Sequence, residues 1–108
     1  MEPQLILHFE GGAVTLQLSP GAARELQARL YDLIAQLQPG PRRSLPPFEY
    51  RYTGDIFLEL FCNPNLWPSP FAAKILLSVR DDRLRLSQEL LLTQVLADLE
   101  VYLQSVSP

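Results

Sequence analysis

Residues Phe48 to Cys62, FEYRYTGDIFLELFC, constrain the fold more than any other stretch. Two runs rich in aromatic and branched residues, Phe48 to Tyr52 and Ile56 to Cys62, flank Thr53-Gly54-Asp55, which reads as two antiparallel strands and a tight turn. Side chains alternate with period two, so the length of that turn decides which residues share a face. A two-residue turn would put Glu49 and Arg51 beside Ile56, Leu58, Leu60 and Cys62, and burying two unpaired charges costs several kcal/mol each. An odd-numbered connection, or a bulge at Gly54, instead aligns Phe48, Tyr50 and Tyr52 with Ile56, Leu58 and Leu60. That register is the expected one. It leaves Phe57 and Phe61 on the opposite face with Asp55 and Glu59, so this strand is apolar on both sides, unlike a strand with one wet face.

The rest of the chain supplies what such a hairpin packs against. Gln4 to Glu10 alternates with Leu5, Leu7 and Phe9 on one side, Gly11-Gly12 supplies a turn, and Val14, Leu16 and Leu18 continue the pattern, giving a second hairpin. Ser19-Pro20 is a helix start, with a side chain that caps an orphan amide and a proline whose missing N–H costs nothing at N1. Ala23, Leu26, Leu30, Leu33, Ile34 and Leu37 then recur at helical spacing until Pro39-Gly40-Pro41 ends the helix near Gln38. Pro39 to Pro47 reads as a loop across one end of the domain rather than a proline-rich ligand, since no clean PxxP core is present. Lys74 to Arg80 alternates Ile75, Leu77 and Val79 against Lys74, Leu76, Ser78 and Arg80. Asp81-Asp82 supplies a turn whose Arg80, Asp81, Asp82, Arg83 quartet suggests exposed ion pairs worth about 0.2 to 1 kcal/mol each. Ser87 or Thr93 is expected to cap a last helix through Leu92, Val95, Leu96, Leu99, Tyr102, Leu103 and Val106.

The order β-β-α-β-β-β-β-α with short links predicts a single α+β domain over residues 1–108: a mainly antiparallel sheet of about five to six strands with two amphipathic helices packed on one face. A chain of 108 residues buries roughly 65 % of its unfolded surface, enough for a core without metal or disulfide. Net charge is −3, from nine Lys and Arg against twelve Asp and Glu. No positive stripe of the kind that displaces counterions from phosphates is evident, so nucleic-acid binding through Arg42, Arg43 and Arg51, or through Arg80, Arg83 and Arg85, is not expected. No signal-like leader and no run of about 18 to 20 apolar residues appear, so a cytoplasmic protein without a membrane span is expected.

Catalytic chemistry finds little support. His8 is the only histidine and Cys62 the only cysteine, so no Ser-His-Asp or Cys-His set can be assembled with a spare and no multi-His metal site exists. On its strand His8 reads as a surface or hydrogen-bonded side chain, and Cys62 as a small buried hydrophobe. Asp55 and Glu59 sit about 13 Å apart on one strand, too far for a general acid and base pair. No phosphate-loop, dinucleotide or zinc-protease motif is present, so a non-enzymatic protein without cofactor is expected.

Between Phe48 and Phe71 lie the only Trp, four of five Phe and two of four Tyr. Trp67 has two readings: a plug for one end of the core, or an interface anchor held in place by the prolines around it. Phe71, just before Ala72-Ala73 and a strand, reads as core. Phe57 and Phe61 have no obvious cover within the fold. The expectation is therefore a small interaction or assembly module that meets a protein partner or a second copy through Phe57, Phe61, Leu66 and Trp67, with Arg51, Asp55 and Glu59 as a polar rim. The alternative is a small-ligand domain with a pocket under the Asn63 to Phe71 loop, lined by Tyr50, Tyr52 and Trp67.

The block RYTGDIFLELFCNPNLWPSPFAAK, followed by a strand and a helix ending LADLEVYLQ, resembles a family of small uncharacterised cyanobacterial proteins. The resemblance covers about half the chain. It implies a cytosolic protein of a photosynthetic bacterium with an accessory or assembly role.

Overall fold

A computed structural model describes residues 4–38 and 44–106. The chain forms β1 (Gln4–Phe9), β2 (Gly12–Gln17), α1 (Pro20–Gln36), β3 (Phe48–Thr53), β4 (Phe57–Cys62), a 3-10 turn (Pro64–Leu66), β5 (Lys74–Arg80), β6 (Arg85–Leu91) and α2 (Leu92–Val106). This is the expected α+β order, with every strand pair antiparallel. The ladders form two sheets, however, a β1-β2 hairpin and a four-stranded β3-β4-β5-β6 meander.

One core joins the sheets and the helices. Leu5, Leu7, Leu16 and Leu18 from the hairpin meet Leu26, Leu30 and Leu33 of α1, Leu58, Leu60, Ile75 and Leu77 of the meander, and Val95 and Leu99 of α2. Each fully buried Leu or Ile contributes about 1.5 to 3 kcal/mol relative to an exposed one. Both helices pack on this side, so the other face of the meander has no layer over it among the described residues.

The central hairpin takes the expected register. Tyr52 pairs with Leu58, Tyr50 with Leu60 and Phe48 with Cys62, across a three-residue turn Gly54 to Ile56. Phe48 and Tyr50 are buried while Glu49 and Arg51 are exposed. In the first hairpin Gly11 has φ of 87°, a conformation that favours glycine strongly. Ser19 caps α1 by accepting from the Ala22 N–H at 3.2 Å.

Three local expectations are corrected. The last helix is not capped by Ser87 or Thr93: Ser87 lies within β6, Thr93 within α2, and Leu92 enters the helix directly while donating to the Ala73 carbonyl at 3.0 Å. The β5-β6 turn is ordered by Asp81 rather than by ion pairs with its arginines. Its Oδ1 accepts from the Arg83 and Leu84 amides, both at 2.7 Å, and these bonds hold the carboxyl below its ordinary range. Phe71 is 83 % exposed. A turn closed by Ala72 N–H to Ser69 and Ala73 N–H to Pro70 buries Pro70 and Ala73 and turns Phe71 outward.

β1 lies beside β6 without a ladder between them. The His8 amide, which a continuous sheet would pair with a strand, instead donates to Asp98 Oδ2 of α2 at 2.8 Å, and His8 Nδ1 lies 2.9 Å from Asp98 Oδ1. Gln94 donates to the same oxygen at 3.0 Å. Among the described residues Asp98 is the one charged side chain that is buried, and a backbone amide, an imidazole and a side-chain amide satisfy it.

Candidate functional site

Period two builds the outer face of the meander from four rows. Across the middle, Arg51 pairs with Glu59, Glu59 with Ser78 and Ser78 with Ser87. On one side of that row stand Thr53, Phe57, Arg80 and Arg85, and on the other Glu49, Phe61, Leu76 and Glu89. Lys74 and Leu91 begin a fourth. Phe57, Glu59 and Phe61 are half-buried by their neighbours, and Leu76 and Leu91 are exposed.

The electrostatics divide this face. Arg51 Nε donates to Glu59 Oε2 at 2.7 Å, a bond that raises the guanidinium pKa and neutralises the middle row. The Arg80 guanidinium stacks over the Phe57 ring at 4.5 Å, a contact worth about 0.5 to 1 kcal/mol at an exposed site. With Arg85 it makes one outer row basic, while Glu49 and Glu89 make the other acidic. Between the basic row and the middle row lies a shallow concavity of about 600 Å³, lined by Arg51, Phe57, Glu59, Ser78, Arg80, Arg85 and Ser87.

Four of the expected contact residues, Phe57, Phe61, Arg51 and Glu59, therefore share one uncovered face. The other three stand elsewhere. Asp55 lies in the β3-β4 turn, beside Tyr52 and Ile56 in a concavity of about 410 Å³ that also takes in Thr15, Gln17 and Ser19 of the first hairpin and α1 cap. Leu66 is exposed at 68 % in the loop beyond the end of β4. Trp67 packs on the core, and its indole N–H donates to the Cys62 sulfur; burial dominates and pushes the Cys62 thiol up. The loop is tied down by Asn65, which accepts from the Leu45 amide and donates to the Leu45 carbonyl, both at 2.8 Å.

Tyr50, Tyr52 and Trp67 do not line one cavity among those described. Trp67 sits at the Cys62 end of the hairpin, opposite Phe48, and Tyr52 is four residues further along β3, about 13 Å away. Tyr50 is buried, its hydroxyl 3.4 Å from the Ala22 carbonyl, and burial raises its pKa. Arg29 of α1 stacks 5.1 Å from the Phe48 ring centre and donates to the Glu49 carbonyl at 2.5 Å, covering the free edge of β3.

A further concavity of about 620 Å³ separates β1 from β6, with His8, Glu10, Lys74, Glu89 and Gln94 at its rim. Among the described residues no group of three or more His, Cys, Asp or Glu side chains is placed to hold a metal ion. Arg42 and Arg43, the other half of the basic group read from the sequence, lie outside the described residues.

Sequence reasoning missed Leu76, Leu91, Arg80 and Arg85 as members of the face. The signal was present in the alternation of Lys74 to Arg80, which already set Leu76 among polar side chains. Asp98 had no such signal, because its partner His8 is 90 positions away. No protein-family model, no curated protein and no solved structure matches the chain. No helix among the described residues is long and apolar enough to cross a membrane.

Proposed function

We propose that this protein is a small non-catalytic interaction or assembly module whose contact surface is the outer face of the β3-β4-β5-β6 sheet. The observation that carries the reading is that Phe57, Phe61, Leu76 and Leu91 stand on a face that neither helix covers, interleaved with charged residues. Apolar residues grouped on an uncovered face and ringed by polar ones are the composition of a protein contact surface. Arg51, Glu59, Arg80 and Glu89 supply the polar surround, while Trp67 acts indirectly by fixing the loop at the end of the sheet. The accessory role implied by the cyanobacterial resemblance agrees with this reading.

The test is photo-crosslinking in lysate of the source cells, with para-azidophenylalanine in place of Phe61 on the face and, as control, in place of Ala97 on the exposed side of α2. A discrete adduct to one protein, a second copy included, from position 61 and none from position 97 is expected. Absence of an adduct at position 61, or equal adducts at both, would overturn the reading.

A further inference from the structure

We propose that the occupant of this face is a second copy of the chain, related by a two-fold axis that crosses the strands along the row Arg51, Glu59, Ser78 and Ser87. The proposal rests on the interaction reading above and names its partner. In a two-fold contact the same patch serves both copies, so each residue must complement whatever the rotation lays over it.

An axis along that row exchanges residues equally far from it on each strand. About Glu59 it lays Phe57 of one copy over Phe61 of the other. About Ser87 it lays Arg85 over Glu89, and about Ser78 it lays Arg80 over Leu76, whose side chain receives the aliphatic stem of the arginine. Each contact occurs twice. The basic row of one copy thus meets the acidic row of the other, and aromatic meets aromatic. The axis row asks little of itself, because Arg51 and Glu59 neutralise each other within each copy and two serines allow close approach. A two-fold axis along the strands would instead set Glu49 against Glu89, a like-charge contact that disfavours it. The charge pattern selects the first arrangement.

Two such faces stack about 10 Å apart with their strands turned by roughly 30°. Arg85 and Glu89 each stand two residues from the axis row, about 7 Å along the strand, so the paired side chains span the layer. Four strands of about six residues give a projected face of about 400 Å² per copy, below the range of stable specific interfaces and within that of weak, transient ones, so a dimer that comes apart on dilution is expected.

Sedimentation velocity of the full chain, from about 1 to about 500 μM, reads this directly. The expected result is a monomer–dimer equilibrium that weakens with added salt. Arg85→Glu and Glu89→Arg each raise the dissociation constant at least about tenfold, and the double exchange restores it to within about threefold of the parent chain. Rescue by the double exchange is an outcome that loss of folding in a single variant does not produce. Ser78→Lys, which adds bulk and charge on the axis, is expected to abolish the dimer with the urea midpoint of the dilute chain unchanged. Dimers indifferent to all three changes, or a double exchange no better than the singles, would overturn the proposal. A purified chain that stays monomeric while position 61 crosslinks to a different protein refutes the second copy alone; a monomer with no adduct refutes both readings.

Discussion

The two faces of β4 make the most instructive comparison in the molecule. Leu58, Leu60 and Cys62 point one way and are buried, whereas Phe57, Glu59 and Phe61 point the other and are half-exposed. Both rows are strongly apolar, and the phenylalanines are the larger side chains. What separates them is the layer they meet: the first row faces both helices and the hairpin, the second faces no other part of the described chain. An apolar residue on a strand is thus not core by composition alone. It becomes core when the topology supplies a second layer.

That difference is broken most sharply by truncation on each side. Leu60→Ala should destabilise the chain by about 2 to 5 kcal/mol, since it leaves a cavity under the helices. Phe61→Ala, measured in dilute solution by urea unfolding, should cost less than about 1 kcal/mol despite removing more atoms. Comparable losses at the two sites would mean that the outer face is structural.

The junction between the sheets comes next in size. Asp98→Ala should cost about 1 to 3 kcal/mol, because the His8 amide loses its acceptor at a part-buried site, and hydrogen exchange at His8 should accelerate while that at Leu60 keeps pace with the global change. On the inner side, Tyr102→Phe removes the hydroxyl that donates to the Leu18 carbonyl and should cost about 1 kcal/mol by thermal unfolding.

Smaller effects belong to the solvated side. Glu59→Gln should cost below about 1 kcal/mol, an effect that added salt erases. Titration adds a directional check at both ends of the pH scale. The Asp81 carboxyl is lowered from its ordinary 3.8 by the Arg83 and Leu84 amides. Its contribution is therefore fully present above that value and lost as pH falls through the lower folded-state value, and Asp81→Asn should flatten the acid limb of a stability profile. The Cys62 thiol is raised above its ordinary 9.0, chiefly by burial. Stability linked to it is present below pH 9.0 and lost as pH rises beyond, so Cys62→Ala should flatten the alkaline limb.

Much of the fold was legible because local periodicity encodes it. The Ser19 cap, the α1 stripe and the β3-β4 register all follow from neighbouring residues, and the unwelcome burial of Glu49 and Arg51 was enough to choose between two turns. The extension of β6 was not legible. Gln88 interrupts the inner alternation between Leu86 and Leu90, so the pairing of Ser87 to Leu91 with β5 is imposed by the neighbouring strand. Where the two sheets part, Asp98 meets the His8 amide from 90 positions away, a contact no short window contains. For the candidate face, the surplus of Phe57 and Phe61 could be read directly, whereas the arginine and glutamate rows around them exist only once four strands are aligned. Trp67, the most conspicuous aromatic residue in the sequence, turns inward to Cys62 and the core.

The central claim is that the outer row of β4 is a contact surface. Hydroxyl-radical labelling of Phe57 and Phe61, compared between the purified chain at about 1 μM, at about 500 μM and at about 1 μM in lysate of its source cells, tests it most directly. The account predicts ready labelling of both residues in the dilute purified chain and several-fold protection in the concentrated chain, or in lysate if the partner is another protein, with Phe71 on the exposed turn labelled alike throughout. Equal labelling of Phe57 and Phe61 in all three conditions would contradict it.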